Sequence, residues 1–143
     1  MFVPHVALAS VFISEILYDL RDGSDSGREW IEVYNDGAEA VNLVSYTVLE
    51  NGKKHAISAV SGGATLAPHT YAIIADNVAK FKTDVPLYAG LLFDSAFSLN
   101  NSGEAIGLLN ASGGTVDSYS YTNSGANGTG DSWQRSGDRK SVV

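Results

Sequence analysis

Apolar and polar residues alternate along this chain in short runs, and most runs are closed by Gly, Asn, Asp or Ser. A period of two puts successive side chains on opposite faces of an extended backbone, so the pattern dictates short strands that must pack in layers. The sharpest punctuation is Asn51-Gly52, a hairpin signal between strand-like residues 41–49 and 53–58. Residues 11–18 (VFISEILY) read as the first strand. Residues 28–35 (REWIEVYN) alternate cleanly, with Ile31 and Val33 on the face suited to a core and Trp30, Glu32 and Tyr34 on the other. Residues 71–75 (YAIIA) form a short buried strand. Residues 97–99 start another, which Asn100-Asn101-Ser102-Gly103 turns into 105–110, where Ile106 and Leu108 suit the core. Ser112-Gly113-Gly114 makes a further hairpin into 115–121, and Ser132-Trp133-Gln134-Arg135 closes the sheet. Residues 76–82 are the one short helix, with Asp76 as its cap. About eight or nine strands at this spacing, without helix–strand alternation, predict an all-β antiparallel sandwich rather than a parallel α/β sheet.

At 143 residues the chain has material for one core and not two. It contains no cysteine, so disulfides, thiolate metal sites and thiol catalysis are excluded. The net charge of −7 and the lack of a basic stripe make nucleic acid an unlikely partner. No apolar run is long enough to span a bilayer. Residues 1–10 read either as the remnant of a secretory signal, with Ala7-Leu8-Ala9 and Ser10 as the peptidase site, or as an apolar lead-in. Residues 11–135 make the sandwich, and 136–143 a tail or linker.

Several segments, in order, resemble the lamin tail domain family. They are ISEILY, then EWIEVYN (29–35), VNLVSYTV (41–48), LAPHTYAIIA (66–75), FSLNNSGEAIGLLNASGGTVDSYSY (97–121) and SWQR (132–135). The resemblance implies an immunoglobulin-like sandwich and is closest to the microbial, exported type. It departs at His69, where the family usually has Gly.

No set of residues announces catalysis. His5, His55 and His69 are scattered, and Gly-x-Ser-x-Gly, His-Glu-x-x-His and P-loop patterns are absent. Glu15, Glu29 and Glu32 suggest a carboxylate pair, but Glu29 and Glu32 fall on opposite strand faces. A structural role is expected instead, with one of these carboxylates or Asp117 pairing with Arg135 or Arg28 and pinning the last segment to the sheet. Asp19, Asp22 and Asp25 in a polar loop are candidate calcium ligands, although their spacing is not that of an EF-hand. No other cofactor is expected. Trp30 with Tyr34, and Tyr119 with Tyr121, share strand faces and are candidate partner-binding aromatics. The function expected is that of a non-catalytic binding or structural module of an exported or cell-surface protein, contacting a protein or surface polymer. The alternatives are a carbohydrate-binding module and an accessory domain of a larger nuclease or hydrolase.

Overall fold

The computed structural model describes residues 11–122 and 128–135; the expected leader (1–10) and tail (136–143) lie outside them. The described residues form twelve strands: β1 (Val11–Leu17), β2 (Trp30–Asn35), β3 (Val41–Asn42), β4 (Thr47–Glu50), β5 (Lys53–Ala56), β6 (Ser58–Ser61), β7 (Thr65–Leu66), β8 (Tyr71–Ala75), β9 (Leu91–Asp94), β10 (Gly103–Leu109), β11 (Thr115–Thr122) and β12 (Trp133–Gln134). A 3-10 turn (Leu43–Ser45) follows β3, and one helix, α1 (Val78–Asp84), lies between β8 and β9. Six strands build a large sheet in the order β12-β1-β2-β8-β9-β6, four build a small sheet in the order β11-β10-β4-β5, and β3 pairs with β7. The sheets sandwich a single main core. Ile31 and Val33 enter it from the large sheet, Ile106 and Leu108 from the small one, and all four are fully buried. Burial of each such side chain is worth roughly 1.5–3 kcal/mol.

Turn chemistry fixes the register. Asn51 (φ 48°) and Gly52 (φ 74°) both take the left-handed conformation that a two-residue hairpin between β4 and β5 requires. His69 also adopts a left-handed backbone (φ 58°), which is the geometry that glycine accommodates without strain. Its amide is held by the carbonyl of Asn35 at 2.7 Å.

Four features differ from the sequence expectation. The large sheet is mixed, because β8 and β9 run parallel and α1 is the crossover between them. β9 is short and buried, so it carries no alternation to reveal it. The helix begins two residues later than expected, with Asn77 rather than Asp76 as its cap: Asn77 Oδ1 accepts from the Lys80 amide at 3.1 Å, while the Asp76 amide donates to the Glu29 carbonyl. Residues 41–49 are interrupted, because Asn42 Oδ1 accepts from the Val44 amide and bends the chain into the 3-10 turn. Residues 97–99 form no strand; the Leu99 amide donates to Glu29 Oε2 at 2.7 Å instead of to a neighbouring strand.

The crossover helix changes the character of the large sheet. α1 lays Phe81 on the face away from the main core, where it meets Trp30, Ile73, Ala75 and Leu92 in a second apolar cluster. With this cluster over Trp30 and the rings of Phe12 and Tyr71 against Tyr34, all six residues of β2 are buried, in spite of their alternating sequence.

Candidate functional site

The aromatic residues proposed as a binding platform do not form one. Trp30 is 4% exposed and stands edge-on to Phe81, with ring centres 6.5 Å apart. Tyr34 is buried between Phe12 and Tyr71. Tyr121 is buried in the main core against Tyr18, and its hydroxyl donates to the Asn100 carbonyl at 2.8 Å. Tyr119 is half-buried beneath the Arg135 guanidinium, 4.3 Å from the ring centre. The physical reason is the coverage of both faces of β2, which leaves its outward aromatics inside the molecule.

Nor does the loop between β1 and β2 gather Asp19, Asp22 and Asp25 as a ligand set. Asp19 accepts from the Gly128 amide and from Asn101. Asp25 accepts from the Leu20 amide at 3.0 Å and from Asn101 Nδ2 at 2.6 Å. Asp22 offers its main-chain carbonyl to Arg28 at 2.6 Å. Among the described residues no group of three or more His, Asp or Glu side chains is arranged to hold a metal ion.

Carboxylates inside the sheet form the polar framework. Glu29 is 4% exposed, and loss of solvent, reinforced by Asp76, Asp25 and Glu104, raises its pKa from 4.5 to about 8 against the opposing Leu99 amide. Glu104 is also raised, chiefly by burial, and accepts from the Asn100 amide and the Tyr121 hydroxyl. Glu50 pairs with His55 Nε2 at 3.2 Å. Glu32 is fully buried and accepts from Ser14 Oγ at 2.7 Å. Burial, and then the Glu32 charge, hold the Tyr88 hydroxyl up at about 12.

The expected Arg–carboxylate pair is present. Arg135 Nη2 donates to Asp117 Oδ2 at 2.7 Å, and the same oxygen accepts from the Ile13 amide at 2.8 Å. One carboxylate therefore links β1, β11 and the residue after β12. Arg135→Ala removes the ion pair and the guanidinium packing on Tyr119 and Phe12 together. A loss of roughly 1–3 kcal/mol is expected. Thermal melting checks this, and an unchanged Tm would show that the pair does not hold the closing segment.

A cleft opens on the outer face of the large sheet, beside α1. Its volume is about 360 Å³, and it is lined by Glu15, Leu17, Trp30, Val85 and Ser132, with Arg28 and Asp84 among its polar groups. Arg28 Nε and Nη2 grip Asp84 at 2.8 and 3.2 Å, tying the chain just before β2 to the end of α1. Glu15 reaches this face through a break in register between Ile13 and Glu15, which sets Glu15 directly opposite Glu32 while Ile13 and Ile16 both stay in the core. Glu15 is 3% exposed; Oε1 accepts from Ser132 Oγ, and Oε2 is buried without a hydrogen-bond partner. Sequence reasoning examined Glu15 as half of a carboxylate pair or as the partner of an arginine. The signal for its placement was the polar Ser14-Glu15 step inside VFISEILY, which breaks strict alternation.

Neither the curated proteins nor the solved structures yield a match to this chain. A family model described as Lamin Tail Domain matches residues 5–123, and the match spans both sheets from β1 through β11. By that match, which covers most of the sequence, and by its immunoglobulin-like sandwich, the chain belongs to the lamin tail domain family.

Proposed function

We propose that this chain is a non-catalytic interaction module of an exported or cell-surface protein, docking another protein or a surface polymer. Lamin tail domains are non-enzymatic immunoglobulin-like domains, which supports the first part. The observation that carries it is the use made of the chemically capable side chains. Glu29 holds the Leu99 amide, Glu32 holds Ser14, Asp117 holds Arg135 and Ile13, and His55 holds Glu50. These groups are engaged in fixing backbone and sheet edges, whereas a catalytic set needs groups converging on a point where substrate can sit. The Ala7-Leu8-Ala9-Ser10 sequence supports export. Among the described residues no helix is long and apolar enough to cross a membrane.

Binding arrays of acidic, basic and neutral peptides and of polysaccharides test the reading. Saturable, reversible binding is expected, with the ligand recovered chemically unchanged by mass spectrometry. Ligand cleaved or modified in proportion to the protein added, or no binding on any array, would overturn it.

A further inference from the structure

We propose that residues 98–102, between β9 and β10, form a pH-sensitive flap that stays shut while Glu29 is protonated and releases when Glu29 ionises. The stretch is anchored at both ends. Before it, Phe97 is sunk in the main core and Ser95 Oγ donates to the Ala56 carbonyl at 2.9 Å. After it, Gly103 turns the chain into β10 with a φ of 102°. Between these anchors Leu99 is the one buried side chain, while Ser98, Asn100, Asn101 and Ser102 are exposed. Acceptors from three different parts of the fold grip this stretch. The Leu99 amide donates to Glu29 Oε2, just before β2, at 2.7 Å. The Asn100 amide donates to Glu104 Oε1, on β10, at 2.7 Å. Asn101 Nδ2 donates to Asp25 Oδ2, between β1 and β2, at 2.6 Å. The Tyr121 hydroxyl adds a bond to the Asn100 carbonyl at 2.8 Å.

All three gripping side chains are carboxylates, and the flap itself, Ser-Leu-Asn-Asn-Ser, carries no basic side chain. Glu29 is the most enclosed of them, so its charge is the most costly to keep. It is faced by Asp76, Asp25 and Glu104, and by the Tyr121 hydroxyl. The cations nearby act on its neighbours. Lys80 and His55 bear on Asp76, against Asp94. His55 is also engaged with Glu50, which adds to the negative field at Glu104, and Lys53 stands opposite Glu50 in the β4–β5 register. Ionisation strengthens a carboxylate's bond to an amide. At Glu29 the loss of solvent outweighs that bond and the like charges add to it, which is why its pKa is raised to about 8. Relief requires water at Glu29, and release of a short exposed stretch admits it with far less disruption than unfolding a sheet. Ser98, Leu99 and Asn100 also form one wall of a cleft of about 570 Å³, with Glu50, Asn51 and Lys53 on its other sides. The flap thereby couples pH to the shape of that cleft.

Amide hydrogen exchange of the isotope-labelled chain, followed by NMR between pH 5 and pH 8 and corrected for the intrinsic rate at each pH, is the test. Leu99 and Asn100 are expected to exchange faster than Val48 and Leu108 of the small sheet, and to respond little to low urea, the mark of a local opening that exposes little surface. Their protection is expected to fall by at least about tenfold across the range, within a limit of about tenfold per pH unit for one proton. Glu29→Gln is expected to abolish the fall. Tyr121→Phe, which removes the hydroxyl from Asn100 and leaves Glu29 in place, is expected to lower protection at every pH and keep the slope. Protection that does not change with pH, a slope that survives Glu29→Gln or vanishes in Tyr121→Phe, or Leu99 following Val48 in urea would each overturn the proposal.

Discussion

Trp30→Ala is expected to destabilise the protein by about 3–5 kcal/mol, the range for removing a large buried aromatic. Trp30 is 4% exposed and lies at the centre of the cluster that joins α1 to the large sheet. Its removal leaves Phe81, Ile73 and Leu92 around a void, and the helix, only seven residues long, depends on that packing to persist. Denaturant unfolding measures the loss. Phe81→Ala should produce a comparable loss, and the double variant should lose less than the two singles combined, because the rings share one contact. Wild-type stability in Trp30→Ala would mean that the indole is not part of the packed interior. The experiment also separates two roles for the residue, since a sugar-stacking tryptophan would lose ligand and keep its stability.

A second large effect is expected from Glu29→Gln, and it should depend on pH. The folded-state pKa of Glu29 is raised from 4.5 to about 8, chiefly because burial penalises the charge. Across that window the folded protein binds the proton more tightly than the unfolded chain does, so stability falls as pH rises from about 4.5 to about 8 and levels off above. The shift corresponds to an upper limit of roughly 5 kcal/mol. Glutamine stays neutral and retains an acceptor for the Leu99 amide. The variant should therefore match the wild type near pH 4 and exceed it near pH 9, where Tm should rise by roughly 10 °C. Melting curves across this range decide the matter, and parallel profiles for the two proteins would show that Glu29 is not the titrating group. Asp76 and Glu104, also raised by burial, add to the same downward slope.

Turns and the inner face were the legible parts of the fold. Asn51-Gly52 required a hairpin and formed one, and Ile31, Val33, Ile106 and Leu108 all turned inward as their alternation demanded. What lay outside local pattern was the coverage of the far face. Period-two alternation tells which residues share a face, but not whether a helix later in the chain will return over it. That is why Trp30 looked available for binding and is enclosed, while Tyr34 is covered by Phe12 and Tyr71 of the neighbouring strands. β9 escaped for a related reason, since a short strand buried on a parallel neighbour needs no polar face. The placement of Glu15 depends on a register break that two polar residues hint at and only the pairing with β2 reveals. The Arg135–Asp117 contact, by contrast, was within reach of charge reasoning, because a half-buried cation near the end of the sheet needs a carboxylate.

The Asp117 bond to the Ile13 amide bears on how copies of this protein behave at high concentration. β12 is only two residues long, and its pairs with β1 are confined to Glu15 and Ile16. Farther along the same strand, a side-chain carboxylate from the other sheet takes the main-chain proton that a neighbouring strand would otherwise claim. At this border the Ile13 amide is already engaged and offers no template for ladder growth between molecules. Protection of this one border against strand addition thus comes from the same carboxylate that anchors the closing segment.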